Sequence, residues 1–164
     1  MNSFEIIRAG VNSTFQDDGR NNLYHIGIPF SGAMDKRNYI LANSLLGNKI
    51  DKPVIEFAYQ GPLIKYKGEK ISFVITGDVI FKLMKKEIVI DGNWYENDTI
   101  KDGDKIDIVS TNKSVYGDLA VRGEKDVRVQ WGSSSIYKKA TTRYKKGKEW
   151  DKNEKIDVRE TLFL

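Results

Sequence analysis

The chain has 164 residues, of which 40% are hydrophobic and 30% charged, with a formal net charge of +4. This length fits one ordinary domain with a sizeable core, and the composition argues against global disorder. The Lys and Arg residues lie mostly in scattered pairs, which indicates solvated surface rather than a nucleic-acid interface. The absence of cysteine excludes disulfides and thiolate metal sites and fits a reducing compartment. No segment approaches the roughly 18 apolar residues of a membrane helix, so we expect a soluble cytoplasmic protein.

Most of the sequence consists of short runs rich in β-branched and aromatic residues, separated by clusters of Gly, Asn, Asp and Lys. Such runs are typical of strands in an all-β domain. The predicted strands are residues 4–9, 24–28, 54–59, 63–66, 71–76, 79–84, 87–90, 105–108, 116–121 and 128–130. Ten short strands predict a barrel or a sandwich, so the fold class is mainly β.

One segment, at about residues 35–46, has apolar residues near three-to-four spacing and contains no Gly or Pro, which predicts the main α-helix. Asp35 stands at the N-cap position, and Gly47 stands where a helix needs a left-handed exit. Asp35 therefore fits a structural cap. It also fits a substrate contact, and both roles hold if the helix N-terminus faces a pocket that attracts an anion.

The last part of the chain changes character, and we divide the sequence into a domain at 1–137 and a Lys-rich segment at 138–164. Tyr144 and Trp150 lie among the basic residues, a mixture that binds single-stranded nucleic acid in some proteins. We favour the plainer interpretation of a solvated Lys-rich loop and do not expect nucleic-acid binding. The apolar ending, residues 162–164, is expected to pack against this domain, a partner or a second half that is missing here.

Several catalytic classes lack the residues they need. His25 is the only histidine, so a serine triad, a two-His metal motif and a zinc deaminase pattern are set aside, and no metal site is predicted. His25 itself fits a partly buried structural residue better than a base, although its pKa range leaves the second role open. No phosphate-binding glycine loop occurs, so any ATP chemistry would belong to a partner.

Polar and glycine residues are concentrated between residues 16 and 56, interleaved with apolar residues that must be buried. Arg20 suits a substrate carboxylate, Ser31 and Asn43 suit amide or carbonyl groups, and three carboxylates suit roles as acceptors or bases. Each also has a purely structural alternative, such as a turn ion pair between Asp17 and Arg20 or a solvent-facing position for Glu56. Binding is better supported than catalysis, and no catalytic residue is assigned. The substrate-binding candidates are Gln16, Asp17, Arg20, Ser31, Gly32, Met34, Asp35, Asn43 and Glu56.

An ordered series of motifs carries a resemblance to a known family. The motifs lie at residues 15–20, 27–35, 42–48, 56, 61–62, 76–77, 116–121 and 132–135. In order, they resemble the biotin-dependent carboxyltransferase family, which includes allophanate hydrolase subunit 2, the C subunit of 5-oxoprolinase, KipA-like proteins and the carboxyltransferase domain of urea carboxylase. The resemblance covers about the first 135 residues and identifies the chain with the N-terminal half of such proteins.

The resemblance implies a cyclophilin-like β-barrel fold. It also implies that the chain functions in a complex with other subunits. Partners would be a relative of the 5-oxoprolinase B subunit (a KipI-like protein) and, in the oxoprolinase case, a relative of its A subunit, acting on a small amide or carboxylate. 5-Oxoprolinase cleaves 5-oxoproline to glutamate with ATP hydrolysis, whereas urea carboxylase moves a carboxyl group from carboxybiotin to urea. ATP, and biotin if it is used, would be bound by partner subunits and not by this chain. The alternative is a non-catalytic regulatory module, as KipA-like relatives suggest.

The chain also departs from the family pattern. Gly123-Glu124 stands where the family has a pair of glycines, and Ser134 stands where the family has an arginine. A hydroxyl has neither the charge nor the paired donors of a guanidinium. A second half that completes the substrate site in relatives is absent, so we do not expect activity from this chain alone.

Overall fold

The computed structural model describes residues 2–125, 127, 129, 131–135 and 155–159. In these ranges the chain forms two antiparallel sheets, one α-helix, α1 (Lys36–Leu46), and one short 3-10 helix (Tyr24–Ile26). The strands are β1 (Asn2–Arg8), β2 (Thr14–Gln16), β3 (Val54–Ala58), β4 (Leu63–Lys67), β5 (Ile71–Thr76), β6 (Val79–Lys85), β7 (Ile88–Asp91), β8 (Asp98–Ile100), β9 (Lys105–Thr111), β10 (Tyr116–Val121), β11 (Glu124–Lys125) and β12 (Lys155–Arg159). The predicted mainly β class with one main helix is confirmed.

The two sheets enclose one hydrophobic core. The larger sheet has the order β11-β12-β1-β4-β9-β6-β7, and the smaller has the order β2-β3-β10-β5-β8. Phe4 and Ile64 of the larger sheet and Phe57 and Phe73 of the smaller belong to the same buried cluster. Because successive side chains of a strand point to opposite faces, alternate residues of each strand reach this core. The predicted barrel thus takes the form of two sheets around a shared interior.

Helix α1 covers the other face of the smaller sheet. Tyr39, Ala42 and Leu46 form a second buried cluster with residues of β3, β5 and β10. The helix begins as predicted, since the Asp35 carboxylate accepts the amide hydrogen of Asn38 (3.1 Å). It ends as predicted at Gly47, whose φ of 69° is left-handed. All five residues of β3 are buried because the core covers one face and the helix covers the other.

A line of polar residues crosses the smaller sheet beneath the helix. Thr14 is the register partner of Glu56, Glu56 of Asp118, and Asp118 of Thr76. Register partners in antiparallel strands point to the same face. We call these four residues the polar row. They place two carboxyl groups side by side under the start of α1.

Two predictions about local structure need correction. Residues 24–28, predicted as a strand, instead form the 3-10 helix Tyr24–Ile26, which ends at Gly27 with a left-handed φ of 79°. The strand pattern failed there because none of the three helical residues is buried. His25 is accordingly exposed rather than partly buried.

Some strands were not predicted. β2, β8 and β11 are three residues long or shorter, too short for a visible alternation. β12 lies inside the segment assigned as Lys-rich, and it pairs with β1 from Asn2↔Val158 to Glu5↔Lys155. Residues 128 and 130 of the predicted strand 128–130, and most of 138–164, lie outside the described residues. The division of the chain at residue 137 stays a prediction.

Candidate functional site

The carboxylate of Asp17, directly after β2, is surrounded by hydroxyl and amide donors. Its Oδ1 accepts hydrogen bonds from the hydroxyls of Ser133 and Ser135, both at 2.6 Å. Its Oδ2 accepts from the amide (2.6 Å) and the hydroxyl (2.8 Å) of Ser134. We call these three consecutive residues the serine cluster; all are buried, and Asp17 is 8% exposed. The site therefore joins residues more than 100 positions apart.

Backbone hydrogen bonds hold Asp17 in place as well. Its amide donates to the Ser135 hydroxyl (3.0 Å), and its carbonyl accepts from the amide of Ala33 (3.0 Å). Burial alone would raise the pKa of Asp17, but the hydrogen bonds from Ser133 and Ser135, helped by the amides of Gly19 and Ser134, outweigh it and lower the pKa. Asp17 is consequently ionised at neutral pH.

Arg20 lies in the same network and is 3% exposed. Its Nη2 donates to the carbonyl of Ser135, and its amide donates to the carbonyl of Phe30 (2.6 Å). Burial lowers the pKa of the guanidinium, and the negative charge of Asp17 opposes that shift. A ligand carboxylate reaches this guanidinium only by entering the buried network, so a grip by Arg20 stays a prediction.

Two glycines allow the loop that holds Asp17 to lie against the loop before α1. Gly19 has a φ of 94°, and a Cβ there would stand 2.7 Å from the Phe30 carbonyl oxygen. Gly32 has a φ of 90°, and a Cβ would stand 3.0 Å from the carbonyl oxygen of Asp18. Ser31, between the loops, also has a positive φ, at 56°. The close approach explains why glycine stands at these two positions.

Glu56 binds the start of the helix. Its Oε2 accepts the amide hydrogens of Met34 (2.7 Å) and Asp35 (3.3 Å). Burial raises the pKa of Glu56, while these two amides oppose the shift. The alternative of a solvent-facing Glu56 is wrong, because the residue is 4% exposed. Met34, by contrast, is 68% exposed in the loop before α1.

The remaining two candidates, Gln16 and Asn43, make hydrogen bonds within the fold. Gln16 is buried and donates from Nε2 to the Thr14 hydroxyl (3.0 Å). Asn43 is fully buried, donates to the carbonyl of Lys52 (2.8 Å) and accepts from Asn48 (3.2 Å). The bond from Asn43 to Lys52 ties the helix to the loop before β3. The structure thus brings Asp17, Arg20 and Gly32 together and places Asn43 in a separate network.

Comparison with known proteins identifies the family. Residues 26–162 match the family described as carboxyltransferase domain, subdomain A and B. The chain belongs to this carboxyltransferase family. The match begins after the Asp17 loop, so residues 16–20 lie outside it.

Relatives of this carboxyltransferase chain include proteins of two kinds. It is 33% identical over 136 residues to urea amidolyase of Lachancea kluyveri, covering 82% of this chain and 7% of that protein. It is 30% identical over 131 residues to the C subunit of 5-oxoprolinase from Escherichia coli, covering 80% of this chain and 41% of that protein. The crystal structure of the K. lactis urea amidolyase superposes on 95% of this chain and 9% of that one, with a TM-score of 0.86 and 25% identity. The chain therefore spans less than half the length of these relatives.

Two features of the candidate site were not predicted as site residues. The serine cluster was noted as part of a family motif and for its departure at Ser134, but not as a group that binds Asp17, to which it supplies most of the bonds. Asp118 is fully buried in the middle of β10, and the available signal was a charged residue inside a strand. Burial raises the pKa of Asp118 well above its usual value, and Glu56 and Asp35 raise it further.

The phenol of Tyr39 is influenced by the charges of both parts of the site. Tyr39 is 1% exposed, and burial raises its pKa, with the charges of Asp17 and Asp118 among the further causes. The candidate site thus combines an ionised aspartate, a buried arginine and a pair of carboxyls with raised pKa values. Among the helices of the described residues, none has the length and apolar character to cross a membrane.

Proposed function

We propose that the chain works within an ATP-dependent amide-processing complex, in the place of the C subunit of 5-oxoprolinase, which converts 5-oxoproline to glutamate. The supporting observation is the network of Asp17, Arg20 and the serine cluster, which builds a charged, buried site from the two ends of the domain. The identity to the C subunit of 5-oxoprolinase supports the same assignment. The identity to urea amidolyase supports a carboxyltransferase acting on urea as the related possibility. We place the complex in the cytoplasm, as the lack of cysteine favours.

In this proposal the loop between Asp17 and helix α1 receives a small amide or carboxylate. Within residues 31–35 of this loop, Met34 is exposed, Ser31 and Asp35 are partly exposed, and Gly32 is buried. Arg20 supplies the positive charge that a carboxylate needs once the loop opens. Because Asp17 is ionised and satisfied by its donors, it organises the loop rather than attacking a substrate.

The complex would need further subunits. The segment around the 3-10 helix exposes large apolar side chains, with Tyr24 66%, Ile26 58% and Met34 68% exposed. Such a grouping marks a contact surface in many proteins. We assign it to a partner related to the B subunit of 5-oxoprolinase or to KipI, with a relative of the A subunit completing the complex.

Neither ATP nor biotin is assigned to this chain. The polar groups of the Asp17 network already bond to one another and are buried, so they do not form a cradle for either molecule. The partner subunits would supply both the phosphate chemistry and any carboxyl carrier. The residues of this chain would bind and orient the small substrate.

The test is ATP hydrolysis that depends on 5-oxoproline, with this chain and its cognate A and B subunits mixed and each omitted in turn. Dependence on this chain supports the proposal, and turnover that ignores it removes the catalytic assignment. Arg20→Lys keeps the charge but loses the guanidinium fork, so we expect turnover to fall about tenfold or more. Arg37→Ala, which removes an exposed arginine from α1, is the matched control and should leave turnover unchanged.

One observation favours the second candidate, a non-catalytic regulatory module. Ser134 stands where the family has an arginine, and its hydroxyl and amide are both bound to Asp17. The site lacks that guanidinium, and nothing at this position offers a substitute charge. Co-elution with a purified KipI-like protein or B subunit, combined with no effect on ATP hydrolysis, would support the regulatory role. Absence of any complex would argue against both candidates.

A further inference from the structure

Asp118 lies at the centre of the smaller sheet and faces helix α1. It is 0% exposed and stands between Glu56 on β3 and Thr76 on β5 in the polar row. Neither of its carboxyl oxygens has a hydrogen-bond partner among the described residues. A buried carboxylate without donors is strongly disfavoured, whereas a buried neutral acid costs much less.

Within the described part of the chain, the charges that act on Asp118 are those of acidic groups. The titratable groups that face it are Glu56 on β3, Asp35 at the start of α1 and the phenol of Tyr39 on α1. The hydroxyl of Thr76 is engaged elsewhere, since it donates to the carbonyl of Asn38 (3.0 Å). Ionisation of Asp118 would therefore add a negative charge to a place that already holds acidic groups.

Glu56 and Asp118 differ in their donors although they are direct register partners. Glu56 accepts two amide hydrogens at the start of α1, while Asp118 accepts none among the described residues. Two like charges so close in a buried place do not both ionise readily, and the proton remains on the group with the poorer solvation. The geometry therefore makes Glu56 the ionised member.

We propose that Asp118 is a neutral carboxylic acid at neutral pH, and that its proton allows Glu56 to stay ionised and hold the loop of Met34 and Asp35. Asp118 is then a positioning residue for that loop. This role belongs to the folded chain itself and does not depend on the proposed function. Loss of the proton at high pH would place a second negative charge beside Glu56 and weaken the fold there.

The sign of the pH effect follows from the raised pKa of Asp118 in the folded state. An acid with a raised folded-state pKa contributes stability that is complete below its unfolded value of 3.8 and is lost as the pH rises toward the folded value. Asparagine at this position has no proton to lose. The difference in folding stability between the variant and the natural chain should therefore change steadily with pH.

The direct test is carbon NMR of the full chain labelled at the aspartate carboxyl carbons, with Asp118→Asn used to assign one resonance. We expect that resonance to keep the chemical shift of a protonated acid through neutral pH. An ionised Asp118 at neutral pH would overturn the proposal.

Thermal unfolding gives the second readout. The melting temperature of Asp118→Asn should rise relative to the natural chain as the pH increases from about pH 5.5, by about 3–5 °C for each pH unit up to the folded pKa of Asp118. Asp91→Asn, at the exposed end of β7, corrects for the loss of one negative charge. A constant difference at every pH would show an ordinary structural role and contradict the proposal.

A third variant covers the case in which Asp118→Asn does not fold. Glu56→Gln removes the neighbouring negative charge and keeps an oxygen acceptor for the helix amides. One aspartate resonance should then titrate at lower pH than in the natural chain. If no resonance shifts, the two carboxyls are not coupled and the proposal fails.

Discussion

At the scale of single residues, Asp17 determines whether two distant segments hold together. Its two oxygens receive the hydroxyls of the serine cluster and the amide of Ser134. Hydrogen bonds to an ionised acceptor are about twice as strong as those between neutral groups. A neutral replacement of the same shape therefore tests the charge of Asp17 apart from its size.

Asp17→Asn should lower the free energy of unfolding by about 3 kcal/mol, because the amide nitrogen cannot accept hydrogen bonds and leaves buried hydroxyls without an acceptor. Urea denaturation of the two chains measures the difference. Asp18→Asn is the control, since Asp18 is exposed and pairs with Lys36 at the surface (3.1 Å). An equal effect from both variants would mean that the serine cluster adds no stability.

The same residue predicts behaviour in acid. The pKa of Asp17 is lowered in the folded state, so its contribution is present above the unfolded value of 3.8 and is lost as the pH falls through the folded value. The stability gap between the natural chain and Asp17→Asn should therefore close in strong acid. Melting temperatures measured from about pH 6 to about pH 2 would show whether it does.

At the scale of elements, helix α1 shows what the sequence alone predicts well. Its N-cap at Asp35 and its left-handed exit at Gly47 depend on chemistry within a few residues, and both are confirmed. The predicted strand at residues 24–28 is wrong because Tyr24–Ile26 form a 3-10 helix with no buried residue. Local chemistry is readable from the sequence, whereas burial depends on partners elsewhere in the fold.

The helix cap leads to a prediction of its own. Asp35→Ala removes the acceptor for the amide of Asn38 and should cost about 1 kcal/mol of stability. Asp35→Asn is the matched control, because asparagine caps helices about as well as aspartate. Both chains can be compared by urea denaturation. A similar loss in the two variants would show that the charge of Asp35, and not its capping bond, is what stabilises the helix.

At the scale of the whole molecule, the site contains residues that the sequence predicts and residues that it does not. Residues 16–35 lie close together in the chain, and their grouping of Gly, Asp and Arg indicated a polar network. The serine cluster joins that network, and Asp118 lies beside Glu56, from positions far along the chain. Their places depend on strand order and register, such as Asp118↔Glu56, and no local pattern reveals those pairings.

The larger sheet gives the last prediction, which also tests the division of the chain at residue 137. β12 pairs with β1 along four register positions and with β11 along two. A chain that ends at residue 137 loses β12 and leaves β1 with an unpaired edge beside Phe4 of the core. Unpaired edges destabilise a sheet and promote association between chains.

We expect chain 1–137 to melt about 5–10 °C below the full chain and to form larger species in size-exclusion chromatography. Chain 1–159, which keeps β12, is the matched control and should behave like the full chain in both measurements. If chain 1–137 melts with the full chain and stays monodisperse, the domain is complete at residue 137 and β12 is an accessory strand. A loss confined to chain 1–137 would instead make the strand at residues 155–159 part of the domain, because the stability of β1 then depends on a partner drawn from the Lys-rich segment.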